Sequence, residues 1–532
     1  MQADPILTEV VARALTLAAE EMGATLISLA FSPNIKERWD CSSAIFDEAG
    51  NLVAQANRVP LHLGSMIGAV EALRDKYSAE RIQPGDMFLA NDPYSGGGTH
   101  LPDINVIAPV FADGRLVAFV ANIAHHADVG GMVAGSESTL CTSIYQEGVR
   151  LPMVQVARAG VIEADIVDII RLNSRTPDER LGDLQAQFAA CRVGVERVGT
   201  VFTRNGPAMV ATCIGHFLQA TGLRFAASVQ ALPDGVYEAE EWLEPAGADP
   251  ETRLHLRLSV TAGRLQFDLS GSAPQLLGSS RNVPRKAVLA TVYAIAKSML
   301  DPDVPSNSGY FDGIEVTTRP GTVTDPLPPA AVGTRAITCG VLGDLIVAAL
   351  SQAVTVSSMA DSGPHHLVIF AGPDPKRGDY FVDYETIAGG AGACRHQPGL
   401  DAVRVHASGA ANLPIEALEN AFPLRVERYA LRAGSGGAGR MRGGAGVERD
   451  YRILGDGICV SLSSARQLRP AQGFDRGGAG SCGAFLLNPG TASEQQLPAA
   501  AVDLQVNRGD LIRVSTPGGG GFGYPPRRAP LI

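Results

Sequence analysis

The segment that most constrains this fold is a long apolar hairpin at residues 104–128, INVIAPVFADGRLVAFVANIAHHAD. Asp113-Gly114 separates two largely apolar runs, and an Asp-Gly pair in this position is among the strongest signals for a tight two-residue turn. The turn fixes the register of the two strands, and this register predicts that Asp103 lies opposite Ala124. The hairpin therefore brings the residues just before its first strand beside those that end its second strand.

A dense cluster of polar residues flanks this hairpin and contains His100, Asp103, His125, His126 and Asp128. Imidazole and carboxylate groups together suit Zn²⁺, Mn²⁺ or Fe²⁺, so the cluster is a candidate metal site. The structural alternative is that the histidines are polar residues at strand ends that bond the backbone. Neighbouring strand residues point to opposite faces, so His125 and His126 are not equivalent ligands. Regular alternation favours His126 on the face of Asp103, but a proline disturbs the strand edge and leaves the choice open.

A first hairpin precedes this one at residues 39–56, WDCSSAIFDEAGNLVAQA, with its turn at residues 48–50. Asp40 begins its first strand, and its carboxylate is a candidate to join the metal cluster. Cys41 follows directly, but no basic residue nearby in the sequence favours a reactive thiolate.

The remaining chain alternates between helical and strand patterns, which predicts a mixed α/β (α+β) fold. Helices are predicted from Asp4-Pro5, from Thr176-Pro177, after Asn205-Gly206, and over 284–300 and 335–358. The last of these is apolar nearly all round and is expected to be buried. Period-two alternation predicts a three-stranded meander over 236–271, and short strands and Gly-rich loops follow residue 366. The predicted regions are a hairpin and helical region with the metal site (1–231), a central mixed α/β region (232–424) and a C-terminal strand and Gly-rich loop region (425–532).

Charge and composition exclude several classes of protein. The 532 residues include 44 Lys and Arg against 55 Asp and Glu, and the net charge of −11 disfavours binding to nucleic acid or an anionic membrane. The sequence contains no run of ~18 apolar residues, so no transmembrane helix is expected. The N-terminal sequence lacks a basic segment, so no signal peptide is expected. The eight scattered cysteines form no CxxC pair and are expected to be reduced and mostly buried, as in cytoplasmic proteins.

Three Gly-rich stretches raise the question of phosphate binding. They are residues 96–98, 433–446 and 516–523, and none has the P-loop pattern GxxxxGK[ST]. We therefore predict tight turns and close backbone approach at these stretches, and no residues that bind a nucleotide cofactor. The pair His365-His366, at the start of a strand, is a weaker site candidate with a structural role as its alternative.

Seven motifs spread along the chain point together to one family. They are ERWDCSSAIFDEAGNLVAQA, VPLHLGSM, FLANDPYSGGGTHLPDINVIAPVF, NIAHHADVGG, SIYQEGVRLP, LGDLQAQFAACRVG and TPGGGGFGYP. In these motifs the chain resembles the hydantoinase B / 5-oxoprolinase family over essentially its whole length. The family includes the B-type subunits of ATP-dependent hydantoinases and of caprolactamase, and the related subunits of acetone and acetophenone carboxylases.

The resemblance implies a division of labour between two subunits. ATP and Mg²⁺ bind to a separate A-type subunit, which phosphorylates a carbonyl or lactam oxygen. The B-type subunit carries a metal site at which the activated intermediate is completed by water or by a carboxyl species. The metal ligands of the family map onto Asp40, His100, Asp103 and His125, so the resemblance selects His125 over His126.

Two further residues are predicted to act beside these ligands. His126 and Asp128 are predicted to be catalytic residues beside the metal, where they orient a ligand ring or a water. The sequence departs from the family pattern after Asp40, where the family often has Phe and then, one place further on, Cys. Here Cys41 is followed by Ser42 and Ser43, which changes the pocket wall but not the ligand set.

The function implied is that of a metal-containing catalytic subunit of an ATP-dependent hydrolase of cyclic amides, such as hydantoins, 5-oxoproline or lactams. It is expected to act in a cytoplasmic hetero-oligomer with the A-type subunit. The alternatives are a subunit of an ATP-dependent ketone carboxylase and a non-catalytic scaffold for the A-type subunit. The complete set of four candidate ligands favours a catalytic role over the scaffold.

Overall fold

The computed structural model describes residues 4–56, 58–354 and 358–525. These residues form ten α-helices and twenty β-strands in four sheets. The helices are α1 (Pro5–Leu29), α2 (Pro33–Lys36), α3 (His62–Lys76), α4 (Ala164–Leu172), α5 (Pro177–Asn205), α6 (Pro207–Gln230), α7 (Arg285–Leu300), α8 (Ser308–Phe311), α9 (Arg335–Ala353) and α10 (Ile415–Ala421). The strands are β1 (Cys41–Asp47), β2 (Leu52–Gln55), β3 (Met87–Ala90), β4 (Asp103–Ala112), β5 (Arg115–His125), β6 (Val154–Arg158), β7 (Val161–Ile162), β8 (Gly235–Leu243), β9 (Thr252–Thr261), β10 (Arg264–Asp268), β11 (Ile314–Thr317), β12 (His366–Pro373), β13 (Tyr380–Ile387), β14 (Leu424–Leu431), β15 (Val447–Ile453), β16 (Ile458–Ser463), β17 (Ala484–Leu487), β18 (Gln495–Leu497), β19 (Ala500–Val506) and β20 (Leu511–Ser515).

The first sheet joins both predicted hairpins in the strand order β2-β1-β5-β4-β3-β6-β7. Helices α1 and α5 pack together and contact this sheet, and α3 also contacts its central strands. Helix α1 begins as predicted, because the Asp4 carboxylate accepts a hydrogen bond from the Ile6 amide at 2.9 Å and Pro5 occupies the first turn. Leu15, Met22 and Leu26 of this helix are fully buried.

The β4–β5 hairpin turns where predicted, but its register changes along the strands. Ala112 pairs with Arg115 at the turn, and then a bulge shifts the pairing by one residue, so that Val110 pairs with Ala118. Asp103 consequently lies opposite His125. The predicted pairing of Asp103 with Ala124, and with it the expectation from alternation that His126 shares the face of Asp103, is wrong. One extra residue in β5 is the physical reason.

The second sheet is the predicted meander extended by one strand. Its order is β11-β10-β9-β8, in which β10 and β11 run parallel. Helix α9 packs on β8 and β9, and 83% of its most apolar 18-residue window is buried inside the fold, as expected for a core helix. By length and composition alone this helix would pass as a membrane span, a test that the buried core helix of a soluble protein also passes. The predicted helix runs to residue 358, and residues 355–357 lie outside the described part of the chain.

The strands after residue 366 form two further sheets. Their orders are β13-β12-β16-β19 and β14-β15-β20-β17-β18, and both contribute to one apolar core. The first of them pairs β12 with β16, so it joins strands from both sides of residue 424. The division of the chain into three regions stays a prediction.

Candidate metal centre

Three of the predicted ligands come together at the open end of the β4–β5 hairpin. His100, Asp103 and His125 are buried, and one ligand atom from each lies within 4.8 Å of the other two. His100 Nε2 lies 3.2 Å from Asp103 Oδ1, and the rings of His100 and His125 are 5.0 Å apart between centroids. The bulge in β5 creates this group, because it places His125 directly across from Asp103.

The fourth predicted ligand, Asp40, lies beside this group but outside it, and is joined to it through strand pairing and through a histidine. Its carbonyl accepts a hydrogen bond from the His125 amide at 3.0 Å, at the point where β1 joins β5. Its carboxylate Oδ1 lies 3.4 Å from Nε2 of His62, and the same nitrogen lies 3.7 Å from Asp103 Oδ1. Two carboxylates of the predicted set therefore contact one imidazole at the start of α3.

Other side chains, which were not predicted from the sequence as site residues, surround the cluster. Arg335 of α9 donates to Asp103 Oδ2 at 2.5 Å. Glu137 Oε2 lies 3.7 Å from His125 Nε2 and accepts a hydrogen bond from the Tyr384 hydroxyl at 2.9 Å. His62 falls within the motif VPLHLGSM, but Glu137, Arg335 and Tyr384 come from distant segments, so hydrophobic periodicity alone gives no signal for their approach.

The histidine rings are held by contacts on the side away from the cluster. His100 Nδ1 lies 3.0 Å from the Gly333 carbonyl, which fixes the ring with Nε2 toward Asp103. His125 Nδ1 lies 3.1 Å from the Asn34 side-chain nitrogen, and the ring packs against Tyr384 with centroids 4.4 Å apart and a tilt of 34°. Such contacts orient metal-binding imidazoles and are part of a working site.

His126 and Asp128 lie apart from these contacts. His126 Nε2 meets the Gln187 side-chain oxygen at 3.0 Å, among groups of α5. Asp128 accepts hydrogen bonds at 2.8 Å from both the backbone and the guanidinium of Arg175, and one at 3.1 Å from the Gly135 amide. The structure thus does not bring either side chain to the ligand atoms of His100, Asp103 and His125. Their predicted catalytic role stays a prediction, and these contacts favour a structural one.

Burial and neighbouring charges shift the pKa values of the cluster. Burial raises the pKa of Asp103, but His100 and Arg335 oppose this and hold it well below the usual value. Burial and Arg335 lower the pKa of His100. Burial lowers the pKa of His125, but contact with Glu137 raises it above the ordinary value. Asp103 is therefore ionised and His100 neutral near pH 7, which are the forms of these groups that bind metal.

The structure itself supports a divalent cation at these residues, without reference to any related protein. His100 Nε2, Asp103 Oδ1 and His125 Nε2 are buried and have no hydrogen-bond partner of suitable geometry. The first two lie 3.2 Å apart, but with the His100 Nδ1 proton donated to the Gly333 carbonyl, both are acceptors. An unsatisfied buried polar atom costs about 1–3 kcal/mol, so three of them in one place are costly. A cation bound by two imidazole nitrogens and a carboxylate would satisfy all three, and this mixed N/O set suits Zn²⁺, Mn²⁺ or Fe²⁺.

A pocket opens beside the cluster. Asp40, His62 and His125 line it together with Arg335 and His365, and its empty volume is about 600 Å³, including space open to solvent. Burial and Arg404 lower the pKa of His365 to about 4, so its ring is neutral at pH 7. The second histidine of the pair, His366, is instead fully buried against Phe485. Of the weaker candidate pair, only His365 reaches the pocket.

The C-terminal Gly-rich stretches pack backbone against backbone. A Cβ atom on Gly443 would lie 1.9 Å from the Gly519 carbonyl oxygen, so only glycine fits there. This confirms the predicted close approach of residues 433–446 and 516–523. All eight cysteines are free, and six are buried, as predicted. Burial and the charge of Asp40 raise the pKa of Cys41 to about 12, which disfavours a thiolate nucleophile.

Comparisons with known proteins agree with this fold. The sequence matches the family described as Hydantoinase B/oxoprolinase over residues 4–525. A Pseudomonas sp. (strain NS671) protein, provisionally named as the B-type subunit of a D-/L-hydantoinase, is 30% identical over 99% of this chain and 91% of its own. The 5-oxoprolinase of Dictyostelium discoideum is 30% identical over 98% of this chain, which spans only 40% of that longer protein.

Two solved structures share the fold. The ATP-dependent caprolactamase from Pseudomonas jessenii superposes with a TM-score of 0.90 at 26% identity, over 100% of this chain and 93% of that one. A nucleotide-free acetone carboxylase chain also superposes with a TM-score of 0.90, at 19% identity, over 99% of this chain and 76% of that one. The fold and the buried ligand cluster define a mixed α/β protein with a candidate metal centre. The chain belongs to the hydantoinase B/oxoprolinase family.

Proposed function

We propose that this chain is the metal-containing catalytic subunit of an ATP-dependent hydrolase of cyclic amides. The observation that carries the proposal is the group of three buried ligand atoms without hydrogen-bond partners, on His100, Asp103 and His125, beside an open pocket. The likeness to an ATP-dependent caprolactamase over the whole chain supports the reaction class.

The proposed reaction needs two subunits. ATP and Mg²⁺ bind to a separate A-type subunit, which transfers the terminal phosphoryl group to the amide oxygen and so makes the ring carbon electrophilic. Water then adds at that carbon, and the ring C–N bond breaks with the nitrogen leaving as the amine, which gives an acyl phosphate. A second water hydrolyses the acyl phosphate to a carboxylate and phosphate, so the overall reaction uses two waters to hydrolyse one ring C–N bond and one phosphoanhydride bond of ATP. The length of the Dictyostelium discoideum 5-oxoprolinase, of which this chain spans 40%, supports the need for further protein. The eight free cysteines support the proposal that the complex works in the cytoplasm.

Residues of this chain have distinct tasks in that reaction. His100, Asp103 and His125 would hold the cation, and Asp40 would join them from β1. When bound, a divalent cation supplies Lewis acidity, which lowers the pKa of water enough for it to act as a nucleophile near neutral pH. Arg335 keeps Asp103 ionised by donating to its second oxygen.

The wall of the pocket contributes further groups. Tyr384 donates to Glu137 and packs against the His125 ring, so it positions both side chains. The neutral ring of His365 lines the pocket and is available to hydrogen-bond a ligand.

Reconstitution tests this function. The chain is purified with its A-type partner, and ATP turnover is measured against hydantoin, 5-oxoproline, simple lactams and ketones. We expect ATP hydrolysis coupled to ring opening for a cyclic amide, with loss of coupling in His100→Ala and none in His396→Ala, a control at an exposed histidine. Incorporation of labelled bicarbonate into the product would instead assign ketone carboxylation. If coupled ATP turnover survives in His100→Ala, the chain is instead a non-catalytic scaffold for the A-type subunit.

A further inference from the structure

A second cavity adjoins the pocket at the candidate metal centre. The two share Val59, Arg404 and Val405, so Arg404 stands in their common wall. The second cavity has an empty volume of about 1170 Å³, including space open to solvent. Its lining includes Arg58, Lys297 and Arg404, and none of the described residues that line it is Asp or Glu. In a chain of net charge −11, this concentration of positive charge is a distinct feature.

The positive charges of the cavity make no close ion pair with a described carboxylate, although Asp301 acts on Lys297, and Asp40 on Arg404, from a greater distance. In the described part of the chain, no Asp or Glu oxygen lies within 4.0 Å of the charged nitrogens of Arg58, Lys297 or Arg404. Arg58 packs over the Trp39 ring at 5.5 Å, and its Nε is buried without a hydrogen-bond partner. Arg404 donates to the side-chain and backbone oxygens of Thr386, which are neutral acceptors. These arginines therefore keep their capacity to bind an anion.

We propose that this cavity binds the oxyanion group of a small molecule, a carboxylate or a phosphoryl group, through Arg58 and Arg404. Arginine forms paired hydrogen bonds with both groups, because its planar guanidinium matches their oxygen spacing. Lys297 also lines the cavity, and its ammonium group donates to the Val304 carbonyl. The position of Arg404 places the bound oxyanion next to the pocket that Asp40, His62 and His125 line.

The electrostatic setting of Arg404 supports an anionic ligand. Burial and the neighbouring positive charge of Arg38 lower the pKa of Arg404 to about 9. A buried cation is stabilised when an anion pairs with it, so the binding of an oxyanion would relieve this cost.

The inference rests on the proposed function for its choice of ligands and deepens it. The oxyanion has two sources in the proposed reaction: a carboxylate that the cyclic amide itself carries, as in 5-oxoproline, or the phosphoryl group of the activated intermediate. If the site binds a carboxylate, the substrate is a cyclic amide that carries an acidic group. If the site binds a phosphoryl group, the substrate is a cyclic amide without such a group.

Binding calorimetry on the full-length chain, with a chelator present to exclude metal-bound ligand, tests the site. The probes are inorganic phosphate, 5-oxoproline and pyrrolidin-2-one, which is the same ring without the carboxylate. The variants are Arg404→Gln and Arg58→Gln, with Arg404→Lys to retain the charge if Arg404→Gln does not fold. Arg508→Gln serves as the matched control, because Arg508 is exposed and lies outside the cavity.

We expect phosphate or 5-oxoproline to bind the wild type and the control equally, and each Gln variant at least tenfold more weakly. Binding of 5-oxoproline without phosphate assigns the carboxylate source, and binding of phosphate without 5-oxoproline assigns the phosphoryl source. The proposal is overturned if neither anion binds, if the Gln variants bind as tightly as the control, or if 5-oxoproline binds but pyrrolidin-2-one binds as tightly. Because no turnover is measured, a failure of the proposed catalytic function would leave this result unaffected.

Discussion

Arg335 donates to Asp103 across 232 positions of sequence, at 2.5 Å, and both side chains are buried. The contact joins the first turn of α9 to the start of β4, so it ties the second sheet's core helix to the candidate metal centre. It also occupies Oδ2 and leaves Oδ1 of the carboxylate without a hydrogen bond. The arginine therefore holds Asp103 ionised and directs one oxygen toward the histidines.

Removal of this arginine should weaken metal binding. In Arg335→Gln we expect the affinity for Zn²⁺ or Mn²⁺ to fall about 10- to 100-fold, because partners that orient a ligand carry effects of this size. Competition with a chromophoric chelator measures the change, and Arg508→Gln is the control. An affinity equal to that of the wild type would show that Asp103 needs no such partner.

The Tyr384 hydroxyl should stabilise the fold through Glu137. Burial and Glu137 raise the pKa of Tyr384 well above its usual value, so the hydroxyl stays protonated and donates. Tyr384→Phe keeps the ring against His125 but leaves a buried carboxylate oxygen unpaired, which should cost about 1–3 kcal/mol in the free energy of unfolding. Differential scanning calorimetry detects the loss against Tyr145→Phe, a change at an exposed tyrosine. Equal melting temperatures would contradict the role.

Glu147 should make stability depend on pH. Burial raises its pKa to about 8, although the Gly333 and Val332 amides donate to its carboxylate. Between the ordinary value of 4.5 and about 8, the folded protein keeps a proton that the unfolded chain has lost. This contribution to stability is complete below pH 4.5 and falls as the pH rises through 8, by at most about 1.4 kcal/mol per pH unit.

The variant Glu147→Gln isolates this contribution. It keeps an oxygen acceptor for the two amides and cannot ionise, so its melting temperature should fall less than that of the wild type between pH 5 and pH 8. Glu48→Gln, at an exposed turn, should follow the wild type. If the melting temperatures of the wild type and Glu147→Gln change in parallel between pH 5 and pH 8, Glu147 is ionised throughout this range.

The isolated chain should not bind ATP tightly. Its C-terminal Gly-rich stretches are packed against each other, as Gly443 on Gly519 shows, so their amides do not frame an open phosphate site at a helix start. Equilibrium dialysis with labelled ATP should detect no binding in the micromolar range until the A-type partner is added. Micromolar binding by the chain alone would assign a nucleotide site to it.

Local sequence signals predicted the elements of this fold better than the contacts between them. The Asp113-Gly114 turn and the Asp4-Pro5 helix start depend on neighbours in the chain and were confirmed. The bulge between Val110 and Phe111 was not predicted, because the apolar run of β5 is buried on both faces and its pattern does not mark the extra residue.

The same distinction applies to the candidate site. Asp103 and His125 lie at the open end of one hairpin, so their approach follows from a single turn. Glu137 and Tyr384 meet across 247 positions, and this contact depends on how the third sheet packs against the segment that follows β5. No periodic pattern within either segment indicates that packing, so these two side chains were not predicted from the sequence.

The central claim is that His100, Asp103 and His125 bind one divalent transition metal, and elemental analysis of protein purified without chelators tests it most directly. We predict about one Zn, Mn or Fe per chain in the wild type, a loss of most of it in His100→Ala, and retention in His126→Ala and in His396→Ala. Loss of metal from His126→Ala with retention in His125→Ala would contradict the ligand set. A wild-type protein that holds no metal and takes up neither added Zn²⁺ nor Mn²⁺ would contradict the claim as a whole.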